Sequence, residues 1–188
     1  GTINGSTGVV EYANNLYLNN FHLRDLLQEK LARPVIIEND ANAASYGEYK
    51  AVAPKGSDIA IALTLGTGVG GGIIIHGQVY SGSNFAGGEL GHSVIVCGGA
   101  SCTCGRKGCW EAYSSATALI RMTREAMAAH AGKKDTPLWE ITGGSFDTVD
   151  GRTAFDAMRK GDPLGKEVVD KYISYLACGV ANCINVFQ

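Results

Sequence analysis

Cys102, Cys104 and Cys109 fall within eight residues, in the stretch CTCGRKGC, where intervening glycines let the backbone wrap back on itself. His92 stands ten residues before the first of them. One imidazole and three thiolates are the donor set of a tetrahedral structural zinc site of the Cys3His kind. A disulfide framework competes, because six cysteines make an even number. A reducing compartment and the single residue between Cys102 and Cys104 speak against it. Cys97 is one donor too many and leaves the ligand set ambiguous by one. Cys178 and Cys183, far downstream, read as small buried hydrophobes.

Two acids flank this loop: Glu89, three residues before His92, and Glu111, two after Cys109. A carboxylate attached to a rigid metal loop has a fixed position, which suits it to hold a polar ligand in one orientation. Taken singly, each is equally an ordinary solvated glutamate. A third acid, Asp40, lies in ENDANAASYGEY behind Asn39 and ahead of a run of small residues. It is either a site residue at a strand-to-helix junction or the cap of its own helix. The stretch LGTGVGGG, residues 65–72, is a glycine turn whose outward amides form a nest for phosphate oxygens, with the Thr67 hydroxyl as one more donor. It lacks the lysine of a Walker loop, and a strand rather than a helix follows it. A hairpin with permissive glycines is the plainer reading.

The elements that must position these groups follow from periodicity. TGVVEYANN alternates weakly, as a strand or hairpin arm does. Leu23, Leu26, Leu27 and Leu31 repeat at helical spacing before Pro34. VIIEND is a β-branched run, expected to be a buried strand leading straight into the helix that carries Asp40. Residues 58–82 read as strand, glycine turn, strand, His-Gly turn and short strand, an antiparallel meander. From residue 114 the chain is helical in four pieces: SSATALIRMTREAMAAH, TPLWEI, GRTAFDAMRKG and the long run from Asp162.

With 188 residues the chain suffices for one substantial core or for a domain plus part of a second. Its 26 glycines are about twice the usual share of roughly 7%. A net charge of -2 gives no electrostatic reason to expect nucleic acid or an anionic membrane as partner. No apolar run approaches the roughly 20 residues that span a bilayer, and no signal-peptide pattern opens the chain, so a cytoplasmic protein is expected. Asn4-Gly5-Ser6 is formally a glycosylation sequon and is read as a turn.

Taken in order, ENDANAA, LGTGVGGGIII, GGELGH and CTCGRKGCWEAY resemble the ROK family of repressors and sugar kinases, nearest its bacterial glucokinase branch. The resemblance runs the length of the chain, and the zinc motif is its specific part. It implies the actin-like (ribonuclease H-like) α/β fold, a mixed sheet with helices, in a two-domain kinase that phosphorylates hexoses with ATP and magnesium. On that basis residues 1–38 would end the N-terminal domain, and 39–188 would be most of the C-terminal one, with a zinc loop at 92–109. Asp40 would be the general base, and Asn39, Glu89, His92 and Glu111 would bind sugar hydroxyls. His92, Cys102, Cys104 and Cys109 would hold zinc, and Gly66, Thr67 and Gly68 would approach the ATP phosphates. Family members are usually homo-oligomers.

The chemistry argued from the residues agrees. Phosphoryl transfer asks chiefly for positioning and charge stabilisation, with one base to direct the attacking hydroxyl. A hexose displays several hydroxyls, and carboxylates around it leave mismatched epimers with unpaired groups. Two family motifs are absent: the early Asp-Gly-Gly-Thr phosphate turn and a late Gly-Gly stretch near the adenosine. The chain, which opens without methionine and ends in helical periodicity, is therefore expected to be an internal segment with an incomplete ATP site. The alternative to a kinase, with glucose as the first substrate to test, is a sugar-responsive repressor that binds the sugar without phosphorylating it.

Overall fold

The computed structural model describes residues 1–13, 16–54, 56–132 and 135–188. The chain divides into two compact units, Gly1–Thr64 with Gly70–Glu89, and Leu65–Val69 with Leu90–Gln188.

The first unit opens with an antiparallel meander of β1 (Thr2–Asn4), β2 (Val9–Ala13) and β3 (Leu18–Phe21). The weakly alternating stretch is its central strand, where Val9, Val10 and Ala13 are buried. The end of that stretch, Asn14 and Asn15, lies outside the described residues. Helix α1 (Leu23–Leu31) follows and ends where Ala32 turns left-handed at φ 49°, two residues before Pro34. Its leucine stripe is not buried, and Leu31 is 57% exposed.

The expected buried strand at VIIEND does not form. Val35–Glu38 lies outside every strand, and Ile36 is 93% exposed. A strand is defined by its ladder, and neither sheet among the described residues offers this segment a paired edge. Helix α2 (Asp40–Val52) then starts directly from Asn39.

The second sheet, ordered β4 (Ile59–Leu65), β5 (Val69–Ile75) and β6 (Gln78–Val79), matches the expected strand–turn–strand sequence. β5 and β6 pair antiparallel through His76 and Gly77, with φ 51° and 76°. Two positive values in succession are the signature of the tight turn that suits strand twist. The small residues of α2 and the glycines of β5 explain each other. A Cβ on Gly72 would stand 2.1 Å from Ser45 Oγ, and one on Gly70 would stand 3.4 Å from Ala41 Cβ. The helix lies so close to the strand that neither surface tolerates bulk.

The second unit is helical. A metal-type loop leads into α3 (Glu111–Ser114) and α4 (Ala116–Ala129), followed by α5 (Pro137–Ile141), α6 (Thr153–Arg159) and α7 (Pro163–Phe187). The four expected helical pieces all form. Leu119, Met122, Ala154, Val168, Val169 and Tyr172 build one core cluster, and Met127, Leu138, Trp139, Val149 and Ala157 a second. Asp162, 1% exposed, caps α7 by accepting from the amides of Leu164 and Gly165, and also accepts from Leu138 at the start of α5. Burial alone would push its carboxyl up, but the amides of Gly165, Leu138 and Leu164 outweigh it and hold the carboxyl below the usual range.

Candidate sugar and metal sites

Asn39, Asp40 and Glu89 belong to the first unit. Asn39 rather than Asp40 is the cap of α2: its side-chain oxygen accepts from Ala41 and Asn42 at 2.9 and 3.1 Å. Its amide nitrogen donates to the Gly1 carbonyl at 3.0 Å. Glu38 steadies the same turn, accepting from the Asn39 amide and the Asn42 side chain. With capping done by its neighbour, the exposed Asp40 carboxylate engages no group among the described residues. Position N1 adds the favourable field of the helix dipole to an acid held there. Glu89, at the other end of this unit's chain, is likewise exposed.

His92, Cys102, Cys104 and Cys109 belong to the second unit, and their ligand atoms all lie within 4.8 Å of one another. His92 Nδ1 is 3.5 Å from Cys102 Sγ, and the Cys104 and Cys109 sulfurs are 3.7 Å apart. Zn–S and Zn–N bonds of about 2.3 and 2.0 Å in a tetrahedron place neighbouring ligand atoms about 3.5–3.8 Å apart. The spacing and the chemistry of the donor set therefore fit zinc. Cys97 is not part of the group. All six cysteines are free thiols. Cys178 is exposed rather than buried, while Cys183 is half-buried and burial pushes its thiol up.

Backbone bonds also shape the loop. The Cys102 amide donates to the Arg106 carbonyl at 2.9 Å and the Gly105 amide to Cys102 at 3.0 Å, closing a knuckle. Gly105 and Gly108 both have φ 85°, and a Cβ on Gly108 would stand 1.7 Å from the Val96 carbonyl oxygen. The Cys104 thiol is lowered to about 6, first by the Arg106 amide and then by its guanidinium. Cys109 is pushed up to about 12, chiefly by burial. A zinc ion held here would take the sulfurs as thiolates, so its binding would release protons.

The glycine turn Gly66, Thr67 and Gly68 also falls in the second unit. The Gly66 carbonyl accepts from the Ala116 amide at 2.8 Å, and the Thr67 carbonyl from the Thr117 hydroxyl at 2.9 Å. The Thr67 and Gly68 amides donate to no described group outside the turn. Glu111 accepts from the Val69 amide through Oε2 at 3.0 Å, and its Oε1 is 3.8 Å from Cys102 Sγ. The sequence marks Glu111 by its place beside the last cysteine, but nothing in the spacing points to Val69, 42 residues away, as its partner.

Comparison with known proteins gives these groups a context. The ROK family profile matches residues 1–188. The chain is 39% identical over 189 residues to a glucokinase from Thermotoga maritima, covering 100% of this chain and 58% of that protein. It is 32% identical over 190 residues to a xylose repressor from Caldicellulosiruptor bescii, covering 100% of this chain and 46% of the repressor. Among solved structures, a ROK family glucokinase from Streptomyces griseus, in complex with glucose and AMPPNP, superposes with a TM-score of 0.84 at 35% identity. That match covers 100% of this chain and 60% of the other. The chain thus has the mixed α/β fold of the ROK kinases and spans about half the length of the relatives it matches.

Proposed function

Because the chain belongs to the ROK family, we propose that the protein carrying it is an ATP-dependent hexose kinase, with glucose the first substrate to test. The observation that carries this reading is Asp40: an exposed carboxylate at the head of α2 that its helix does not use, because Asn39 makes the cap. An unengaged acid at a helix start is placed to accept a proton, and phosphoryl transfer to an alcohol needs one such base.

In this reading Asp40 accepts the proton of the sugar's primary hydroxyl as that oxygen attacks. Asn39 and Glu89 in the first unit, and His92 and Glu111 in the second, hydrogen-bond the remaining hydroxyls. The Thr67 and Gly68 amides, with Gly66 completing the turn, approach the phosphates. ATP with magnesium supplies the phosphoryl group and neutralises its charge. His92, Cys102, Cys104 and Cys109 hold zinc, which serves to fix the loop; with Nδ1 turned to the cysteines, the other ring nitrogen of His92 is free for a sugar hydroxyl. Residues 1–38 would complete an N-terminal domain and 39–188 most of a C-terminal one in the whole protein. No helix among the described residues is long and apolar enough to cross a membrane, and we take the protein to be a cytoplasmic homo-oligomer of carbohydrate metabolism with no nucleic-acid partner for this segment.

A second reading has its own support, since the likeness to a xylose repressor also covers the whole chain. There the same residues would bind a sugar as effector. A sugar-panel assay of ATP-dependent phosphorylation on the full-length protein decides between them. Turnover that falls about 10²–10⁴-fold in Asp40→Asn, with sugar affinity retained, supports the kinase. Sugar binding without turnover in either protein moves the function to the repressor.

A further inference from the structure

We propose that Glu111 is a positioning residue that straps the glycine loop to the Cys/His metal loop, so that metal occupancy sets how the loop presents its amides. The phosphate-facing part of this inference rests on the kinase reading above; the mechanical part does not.

Val69 is gripped on both sides by residues within two positions of the metal-ligand residues. Its amide donates to Glu111 Oε2 at 3.0 Å, and Glu111 follows the fully buried Cys109 by two residues. Its carbonyl lies against Gly91, where a Cβ would stand 2.0 Å from the oxygen, and Gly91 directly precedes His92. The other oxygen of Glu111 is 3.8 Å from Cys102 Sγ, so one carboxylate touches both the ligand cluster and the glycine loop. Gly68 is small for the same reason: a Cβ there would stand 2.2 Å from Glu111 Oε2. Behind the loop, α4 holds the carbonyls of Gly66 and Thr67 through Ala116 and Thr117.

These contacts divide the labour. Helix α4 fixes the inward carbonyls whether or not a metal is present, because its own core holds it. The Val69 end depends on Glu111 and Gly91, both on segments that the four metal ligands tie together. A loop with one end fixed and the other released keeps its chain path and loses the direction of its amides. Metal loss would therefore act on phosphate binding at a distance, with Glu111 as the link.

The test uses the full-length protein loaded with zinc. Amide exchange at residues 66–69 is compared in the loaded wild type, the wild type stripped by chelator, and zinc-loaded Glu111→Ala. The expected result is at least tenfold faster exchange at Val69 in both altered states, exceeding any change in α7, with zinc still bound in the variant. AMPPNP affinity should weaken by a similar factor in the stripped wild type. Unchanged exchange at residues 66–69 after stripping overturns the strap, as does faster exchange in the variant alone. If Glu111→Ala does not fold, the stripped wild type still decides. A wild type that binds no AMPPNP overturns the kinase reading and leaves the exchange comparison to judge the strap by itself.

Discussion

Gly179 of α7 lies against the indole of Trp110, so close that a Cβ on the glycine would stand 1.9 Å from Cε2 of the ring. Trp110 is 1% exposed and directly follows Cys109. The longest helix of the second unit is therefore notched to receive the residue that follows the Cys/His loop. Tyr113 and Tyr175, ring centroids 4.5 Å apart, continue the same seam, and the Tyr113 hydroxyl accepts from the Ala100 amide at 2.6 Å.

Gly179→Ala should be destabilising by about 2–3 kcal/mol, because a rigid indole and a helix backbone meet at the added methyl and neither yields easily. Urea unfolding reads this as a lower midpoint at unchanged slope. A variant as stable as the wild type would mean that α7 can shift away from Trp110 at no cost.

Zinc should follow the four-residue cluster and ignore Cys97. Cys97→Ser is expected to retain one zinc per chain, and Cys109→Ser to lose it together with several degrees of thermal stability. Metal analysis of the purified proteins checks both. Retention falls as the pH drops, since protons compete for the three thiolates.

Asp162 provides an acid-sensitive contribution to stability. Its folded carboxyl lies below the usual value, so its contribution is fully present above the unfolded pKa of about 3.9 and is lost as pH falls through the folded one. Asp162→Asn should therefore differ most from the wild type above about pH 5, with the gap closing toward acid. Asp162→Ala, which leaves the amides of Leu138, Leu164 and Gly165 without their acceptor, should cost about 3 kcal/mol. A gap that stays constant with pH would refute the assignment.

Gly72→Val should dislodge α2 from β5 and disturb Asp40 along with it. Even a Cβ there meets Ser45 at 2.1 Å and the Ala41 carbonyl at 3.2 Å. Amide exchange along α2 should accelerate at least tenfold. An Asp40→Asn control, which touches no packed surface, should leave that exchange unchanged.

What the sequence disclosed was local. Helical spacing, turn glycines and the clustering of Cys102, Cys104 and Cys109 with His92 each reside in a short window, and each is present in the structure. What it concealed was partnership. VIIEND had the composition of a buried strand, but burial depends on a neighbour that composition does not name, and Ile36 stands in the open. The leucines of α1 mark an apolar face without saying what covers it. The candidate base was identifiable, but whether Asp40 or Asn39 caps α2 was a matter of a single residue in register, settled only by where the amides of Ala41 and Asn42 point.

That division between Asn39 and Asp40 bears on how such chains diverge. The residue that starts the helix and the residue proposed for the chemistry are neighbours, yet they answer to different pressures. Drift at position 40 costs the fold only the helix-dipole contribution of an acid at N1, whereas drift at position 39 removes the cap of α2. On the role proposed for Asp40, a single codon change there would remove the base and leave the architecture intact.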